Sequence, residues 1–193
     1  MSLIVIIIYI FFALIGRVYL VYKLTGSFGT ENTYKSFRSN VYYIICLYIG
    51  FGGMITLAIL DIKGRVNPQL EIGYISIACA LFLAIVGLII TVIGQQQMGS
   101  SWRAIVAKSK STQLITHGLF EYSRNPVYMG TLILFFSVVI LFPHIIMLIC
   151  FLFAYLSIEL LVRFDEEPHL KKVHGVEYEN YCKSVNRFLP KVF

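Results

Sequence analysis

Ile145 to Glu167, I-I-M-L-I-C-F-L-F-A-Y-L-S-I-E-L-L-V-R-F-D-E-E, decides the fold. As far as Val162 it is almost wholly apolar, and a hydrocarbon core about 30 Å thick takes roughly 20 such residues of helix. Arg163, Asp165, Glu166 and Glu167 then crowd the mouth of that segment. Charge at a membrane boundary is costly to bury and is usually kept there for work.

The rest of the chain agrees with a membrane setting. Of its 193 residues 58% are hydrophobic and only 13% charged, with a mean hydropathy of +0.79. A soluble domain has a lower apolar share and a charged share nearer a quarter. Apolar windows run near Leu3 to Tyr22, Val41 to Leu60, Ile72 to Gly94, Val127 to Phe142 and Ile145 to Val162. They predict an all-α integral membrane fold with about five transmembrane helices. The fourth window is short, and Pro143 and His144 are the only turn signal before the fifth. The last two therefore read as a tight helical hairpin, which need not cross the bilayer fully. The first window is longer than a signal-peptide core, lacks a positive n-region and has Arg17 near its far end, so it is expected to be retained.

Lys and Arg set the expected orientation. Lys23, Lys35 and Arg38 follow the first span, Arg103, Lys108, Lys110 and Arg124 the third, and Lys171, Lys172, Lys183, Arg187 and Lys191 the last; Lys63 and Arg65 lie opposite. The positive-inside rule places the N-terminus outside, and Gln95 to Asn125 and the C-terminus in the cytoplasm of an inner membrane or endoplasmic reticulum. The formal net charge of +6 is then a topology signal and a grip on anionic lipid, with no nucleic acid expected. Cys46, Cys79, Cys150 and Cys182 show no metal-like spacing, and His117, His144, His169 and His174 are scattered, so no metal is expected. Without internal repeats or linkers, 1–193 reads as one domain, with the first three spans in 1–98 and the chemistry in 99–193. The polar stretch 26–40, with Phe28, Tyr34 and Phe37, suits an interfacial loop or a plain connector.

Both large cytoplasmic segments carry motifs. One runs G-S-S-W-R-A-I-V from Gly99 and continues through Q-L-I-T-H-G-L-F-E-Y-S-R-N-P-V-Y-M-G, Gln113 to Gly130. Pro126 is placed to begin a helix with Asn125 as its N-cap. In the other, Glu159, Arg163 and Glu166 or Glu167 recur at spacings of three and four and so share one helical face. A membrane helix with such a face should turn it toward a polar cavity; a snorkelling interfacial belt is the structural alternative, and it handles Glu159 badly.

Trp102, the L-I-T-H-G-L-F-E-Y-S-R-N-P-V-Y run, a hydrophobic hairpin, R-F-D-E-E-P-H-L-K-K-V-H-G-V-E-Y-E-N-Y and a closing R-F-L-P occur in that order. Together they resemble the isoprenylcysteine carboxyl methyltransferase family of integral membrane enzymes. The likeness covers the last half of the chain, from Gly99 to Phe193; the first two spans match only in hydropathy. It implies S-adenosyl-L-methionine-dependent methylation at a membrane surface. Carried over by position, Thr112, Gln113, Leu114, Ile115, Phe120, Asn125, Pro126, Val127, Tyr128 and Glu167 would hold the cofactor. Arg163 would meet a substrate carboxylate, with Glu166 and Glu159 holding it in place. Asn125 stands where the family has histidine and Phe120 where it has tyrosine, so a role needing imidazole is lost. The implied acceptor is a lipophilic or prenylated substrate, in particular an isoprenylcysteine-like carboxylate. Phospholipid methylation and NADPH-dependent sterol-type reduction are the enzymatic alternatives, and a small transporter or scaffold the non-enzymatic one.

Overall fold

The fold is given by a computed structural model that describes residues 1–16, 18, 19, 22, 41–99 and 114–190. The interfacial stretch expected over 26–40, and Trp102, Thr112 and Gln113, lie outside these residues. Among these residues six helices of eight or more residues follow one another: α1 (Ser2–Ile15), α2 (Val41–Ile62), α3 (Tyr74–Met98), α4 (Pro126–Leu141), α5 (Ile145–His174) and α6 (Val176–Ser184). No strand occurs among the described residues.

Three of them, α2, α3 and α5, are long and apolar enough to cross a membrane, whereas α1 and α4 are shorter apolar helices. Of the five expected spans, three are full-length candidates among the described residues, and the other two correspond to the shorter apolar helices α1 and α4. For α4 the cause is local. Pro126 opens it and Phe142–Pro143 closes it, leaving 16 residues, or about 24 Å at 1.5 Å per residue, short of the hydrocarbon thickness. The window expected to begin near Leu3 runs on beyond Ile15 into residues outside those described.

Packing is most extensive between α3 and α4, where small residues let the backbones meet. A Cβ on Gly87 would lie 2.6 Å from the Gly130 carbonyl oxygen, and one on Gly130 would lie 2.6 Å from that of Gly87. Lipid tails are as apolar as leucine, so such contacts, together with hydrogen bonds, hold membrane helices together. The Tyr9 and Thr131 hydroxyls meet at 3.0 Å between α1 and α4, and Gln95 donates to the Ala13 carbonyl at 2.9 Å between α3 and α1. Ser157 donates to the Tyr43 carbonyl at 2.9 Å, joining α5 to α2. Tyr9, Phe51 and Phe135 cluster at the centre, with ring centroids 4.8 and 5.3 Å apart about Phe135.

The helices α4 and α5 reverse through Phe142 to His144. His144 caps α5 by accepting from the Ile146 N–H at 3.1 Å. Gln69 closes the turn from outside: its N–H donates to the Pro143 carbonyl at 3.0 Å, and its side-chain oxygen accepts from the Ile145 N–H at 2.9 Å. At the other end, α5 departs from α-helical geometry. Val162–Glu166 is a wide turn with i→i+5 bonds before regular helix resumes at Glu167.

Gly87→Ala and Gly130→Ala should each destabilise the protein by about 1–3 kcal/mol through overpacking. Gly52→Ala, where an added Cβ meets nothing within 4 Å, should be neutral or slightly stabilising. Thermal unfolding of the three variants in one detergent checks the contrast; equal midpoints would contradict the close approach of α3 and α4.

Candidate active site

The wide turn in α5 decides which charged residues meet. In an uninterrupted helix at about 100° per residue, Glu167 would stand roughly 80° around from Glu159. A turn that absorbs about one extra residue brings it back to within roughly 20° and swings Glu166 away. The contacts follow that geometry. Arg187 donates from Nε to Glu167 Oε1 at 2.9 Å and from Nη2 to Oε2 at 2.8 Å, a bidentate fork, while its Nη1 bonds Glu159 Oε1. Arg124 adds a second cation, with Nη2 3.1 Å from Glu167 Oε1. Glu166 instead accepts from the Tyr128 hydroxyl at 2.5 Å.

One expectation is narrowed here and another corrected. Of the face expected to carry Glu159, Arg163 and Glu166 or Glu167, it is Glu167 that the wide turn brings beside Glu159, while Glu166 turns to Tyr128. Glu159 and Glu166 do not hold Arg163: the first is taken by Arg187 and the second by Tyr128. Arg163 is exposed, and no carboxylate pairs with it among the described residues.

The segment before α4 is built around Gly118, whose φ of +66° suits glycine and opens the short turn Gly118–Glu121. Gln97, near the end of α3, accepts from the Leu119 N–H at 2.9 Å and fixes that turn to the bundle. Phe120 is buried, and its carbonyl accepts from the Tyr181 hydroxyl of α6 at 2.6 Å. Burial pushes Tyr181 up to about 12, so it stays a neutral donor. Leu114 packs against the Tyr178, Tyr181 and Val185 cluster, and Ile115 is half-buried beside it in sequence. Pro126 and Val127 lie against Gly94 of α3.

Asn125 occupies the N-cap position of α4, and its carbonyl accepts the first helical bond from Met129 at 3.0 Å. Its side chain does not cap. The amide donates instead to the Arg187 carbonyl at 3.1 Å, which also accepts from the Ser123 hydroxyl at 3.2 Å. Next to it, the Arg124 N–H donates to the Asn186 carbonyl at 2.9 Å. The C-terminal segment is therefore tied by its backbone to the loop before α4 and by the Arg187 side chain to α5.

Arg187 and Arg124, together with Ser123 and Tyr181, were not singled out by sequence as site residues. The available signal was charge balance: glutamates at 159 and 167 on a membrane helix demand cations, and the closing R-F-L-P run supplies one. The four charges sum to zero, and their side chains are only 13–24% exposed. Hydrogen bonding to Glu167 raises Arg187 further above its ordinary range, so the cation persists at any ordinary pH. Arg124 Nη1 reaches the Cys182 sulfur, and its Nε is buried without a partner.

An apolar groove of about 460 Å³ is lined by Leu83, Met129, Leu132, Phe136, Tyr155 and Phe188 among others. Two of its lining residues are chain neighbours of the cluster: Phe188 follows Arg187, and Tyr155 lies one turn before Glu159. Among the described residues no group of three or more His, Cys, Asp or Glu could hold a metal ion.

Comparison with known families finds that the phospholipid methyltransferase model matches residues 75–177, just over half of the chain. The match takes in most of α3, the segment after it, α4 and α5, and ends before Arg187. No curated protein matches.

Removing one member of a buried ion pair strands the other, so Arg187→Gln should cost about 3–5 kcal/mol. The Lys171–Glu179 pair, at 2.8 Å but 65% and 45% exposed, is screened by solvent and should show little or no loss in Glu179→Gln. Denaturation of both variants in detergent would measure the difference, and comparable losses would mean that the Arg187 cluster is not a buried network.

Proposed function

Since the chain belongs to the phospholipid methyltransferase family, within the isoprenylcysteine carboxyl methyltransferase group of membrane methyltransferases, we propose that it moves a methyl group from S-adenosyl-L-methionine to the carboxylate of a lipophilic, isoprenylcysteine-like acceptor. The distribution of Lys and Arg supports a reaction on the cytoplasmic side. The observation that carries this reading is the Glu159–Arg187–Glu167–Arg124 cluster at the end of α5, together with an apolar groove lined in part by its chain neighbours. Polar and hydrocarbon recognition are both offered, as a lipid-tailed acceptor requires.

The residues fit a sulfonium donor that carries both an ammonium and a carboxylate. The cluster offers both signs, and the buried Arg124 Nε is a donor still lacking an acceptor. When bound, the donor supplies an electrophilic methyl carbon. Glu167 would bind its cationic part, Arg124 its carboxylate, and Phe120 and Tyr128 would add aromatic surface. A carboxylate acceptor is already ionised at neutral pH and needs no base. The chain's work is then to align the acceptor oxygen and keep water out. Arg163, exposed and without a carboxylate partner among the described residues, is free to take the acceptor carboxylate in its planar fork.

A second reading, methylation of a phospholipid amine, has its own observation. An amine must lose a proton as it is methylated, and Glu166, held by the Tyr128 phenol and, among the described residues, by no cation, is a carboxylate able to accept it.

Purified protein in lipid nanodiscs should bind S-adenosyl-L-methionine and its demethylated product, and not NADPH. With a farnesylated cysteine analogue and labelled donor, label should appear as a base-labile methyl ester. Stable label on phosphatidylethanolamine would instead establish the second reading, and binding of NADPH alone would refute both.

Two variants separate the roles. Glu167→Gln should weaken donor binding on the order of ten- to hundredfold, the loss of one charge-assisted hydrogen bond. Arg163→Ala should leave stability within about 0.5 kcal/mol, as for other exposed positions, yet abolish ester formation. Full turnover in that variant would remove Arg163 from acceptor binding.

A further inference from the structure

Residue 187 is held at both its backbone and its side chain. Its carbonyl accepts from Ser123 Oγ at 3.2 Å and Asn125 Nδ2 at 3.1 Å, and the preceding carbonyl accepts from the Arg124 N–H at 2.9 Å. Its guanidinium spans Glu159 and both oxygens of Glu167. One residue thus joins the loop before α4, the body of α5 and the far side of the wide turn. The same Glu167 oxygen that meets Arg187 Nε also meets Arg124, so the angle of the Glu167 carboxylate fixes where the second cation lies.

We infer that Arg187 is a positioning residue: it sets the orientation of Glu167, and through it that of Arg124, while locking the C-terminal segment to the loop before α4. The inference rests on the methyltransferase reading only for the consequence that donor binding depends on it. Chemistry favours arginine for this task. A planar fork bonds both carboxylate oxygens and still offers a third nitrogen to Glu159, whereas a lysine ammonium is a point charge with no fixed angle. Asn125 takes part through the carbonyl it holds. At that position the side chain is engaged by the C-terminal segment, which accounts for an amide being serviceable where an imidazole is expected.

The test has two arms on the full-length protein in nanodiscs. Arg187→Lys keeps the charge. It should leave the thermal midpoint closer to that of the parent than Arg187→Gln does, weaken S-adenosyl-L-methionine binding by roughly ten- to hundredfold, and speed hydrogen exchange at the Arg124 and Asn125 amides without donor present. Exchange at parental rates would overturn the lock between the C-terminal segment and the loop. Parental donor affinity in the folded Lys variant would overturn the positioning of Glu167. If the parent itself binds no donor, the methyltransferase reading fails, while the exchange arm still decides the lock. Should Arg187→Lys not fold, Ser123→Ala, which leaves the guanidinium in place and removes one anchor of its carbonyl, carries both arms. It should show faster exchange at the Arg124 amide, which bonds the Asn186 carbonyl and not Ser123, and a smaller loss of affinity, and parental values in both would overturn the proposal.

Discussion

Glu159 and Glu167 stand within and just beyond the apolar stretch of α5, and much of the structure near that end of the bundle meets the need to neutralise them. An isolated carboxylate in such a place costs several kcal/mol. Glu159 and Glu167 avoid that penalty by sharing Arg187, with Arg124 as the second cation. Sharing requires the two acids on one side of α5, which regular α-helix would not give. The wide turn Val162–Glu166 supplies the offset. It also requires the C-terminal segment to fold back, which the hydrogen bonds to Ser123, Arg124 and Asn125 secure. Helix irregularity, chain reversal and loop anchoring thus all serve one electrostatic demand.

That demand explains what could be read in the sequence. Hydropathy windows located α2, α3 and α5, because burying about 20 residues of apolar helix leaves a long, uninterrupted signal. The start of α4 was legible from Pro126, and its reversal into α5 from Pro143 and His144. The span count was less legible, since α4 is clipped at both ends by local turn residues rather than by a change in hydropathy. The motif residues Glu159, Glu166 and Glu167 were found by their cost in a membrane. Their partners were not, because a periodicity argument assumes regular helix, and the wide turn that regroups them has no sequence signature in V-R-F-D-E.

The misassigned partner is instructive in the same terms. Arg163 lies close in sequence to the glutamates and was read as their companion, yet Arg187 is 20 residues beyond Glu167 and takes both contacts. Sequence proximity along a helix is informative only while the helical period holds. The long-range pair could have been approached through charge balance alone, which asks for cations without naming them. The likeness that led to methyl transfer rested on ordered motifs within residues 99–193, and the family match over 75–177 covers most of that region. It leaves Arg187 outside, so the residue that organises the cluster lies beyond the match, in the closing R-F-L-P of the motif, where sequence alone assigned it no role.

The central claim, that a cluster organised by Arg187 forms the donor site of a membrane methyltransferase, is tested most directly by an experimental structure of the protein in lipid with S-adenosylhomocysteine bound. The account predicts the ligand's ammonium beside Glu167, its carboxylate within hydrogen-bond reach of Arg124 Nε, and the Arg187–Glu167 fork intact. Ligand bound elsewhere, or a Glu167 turned away from Arg187 when the ligand is present, would contradict it.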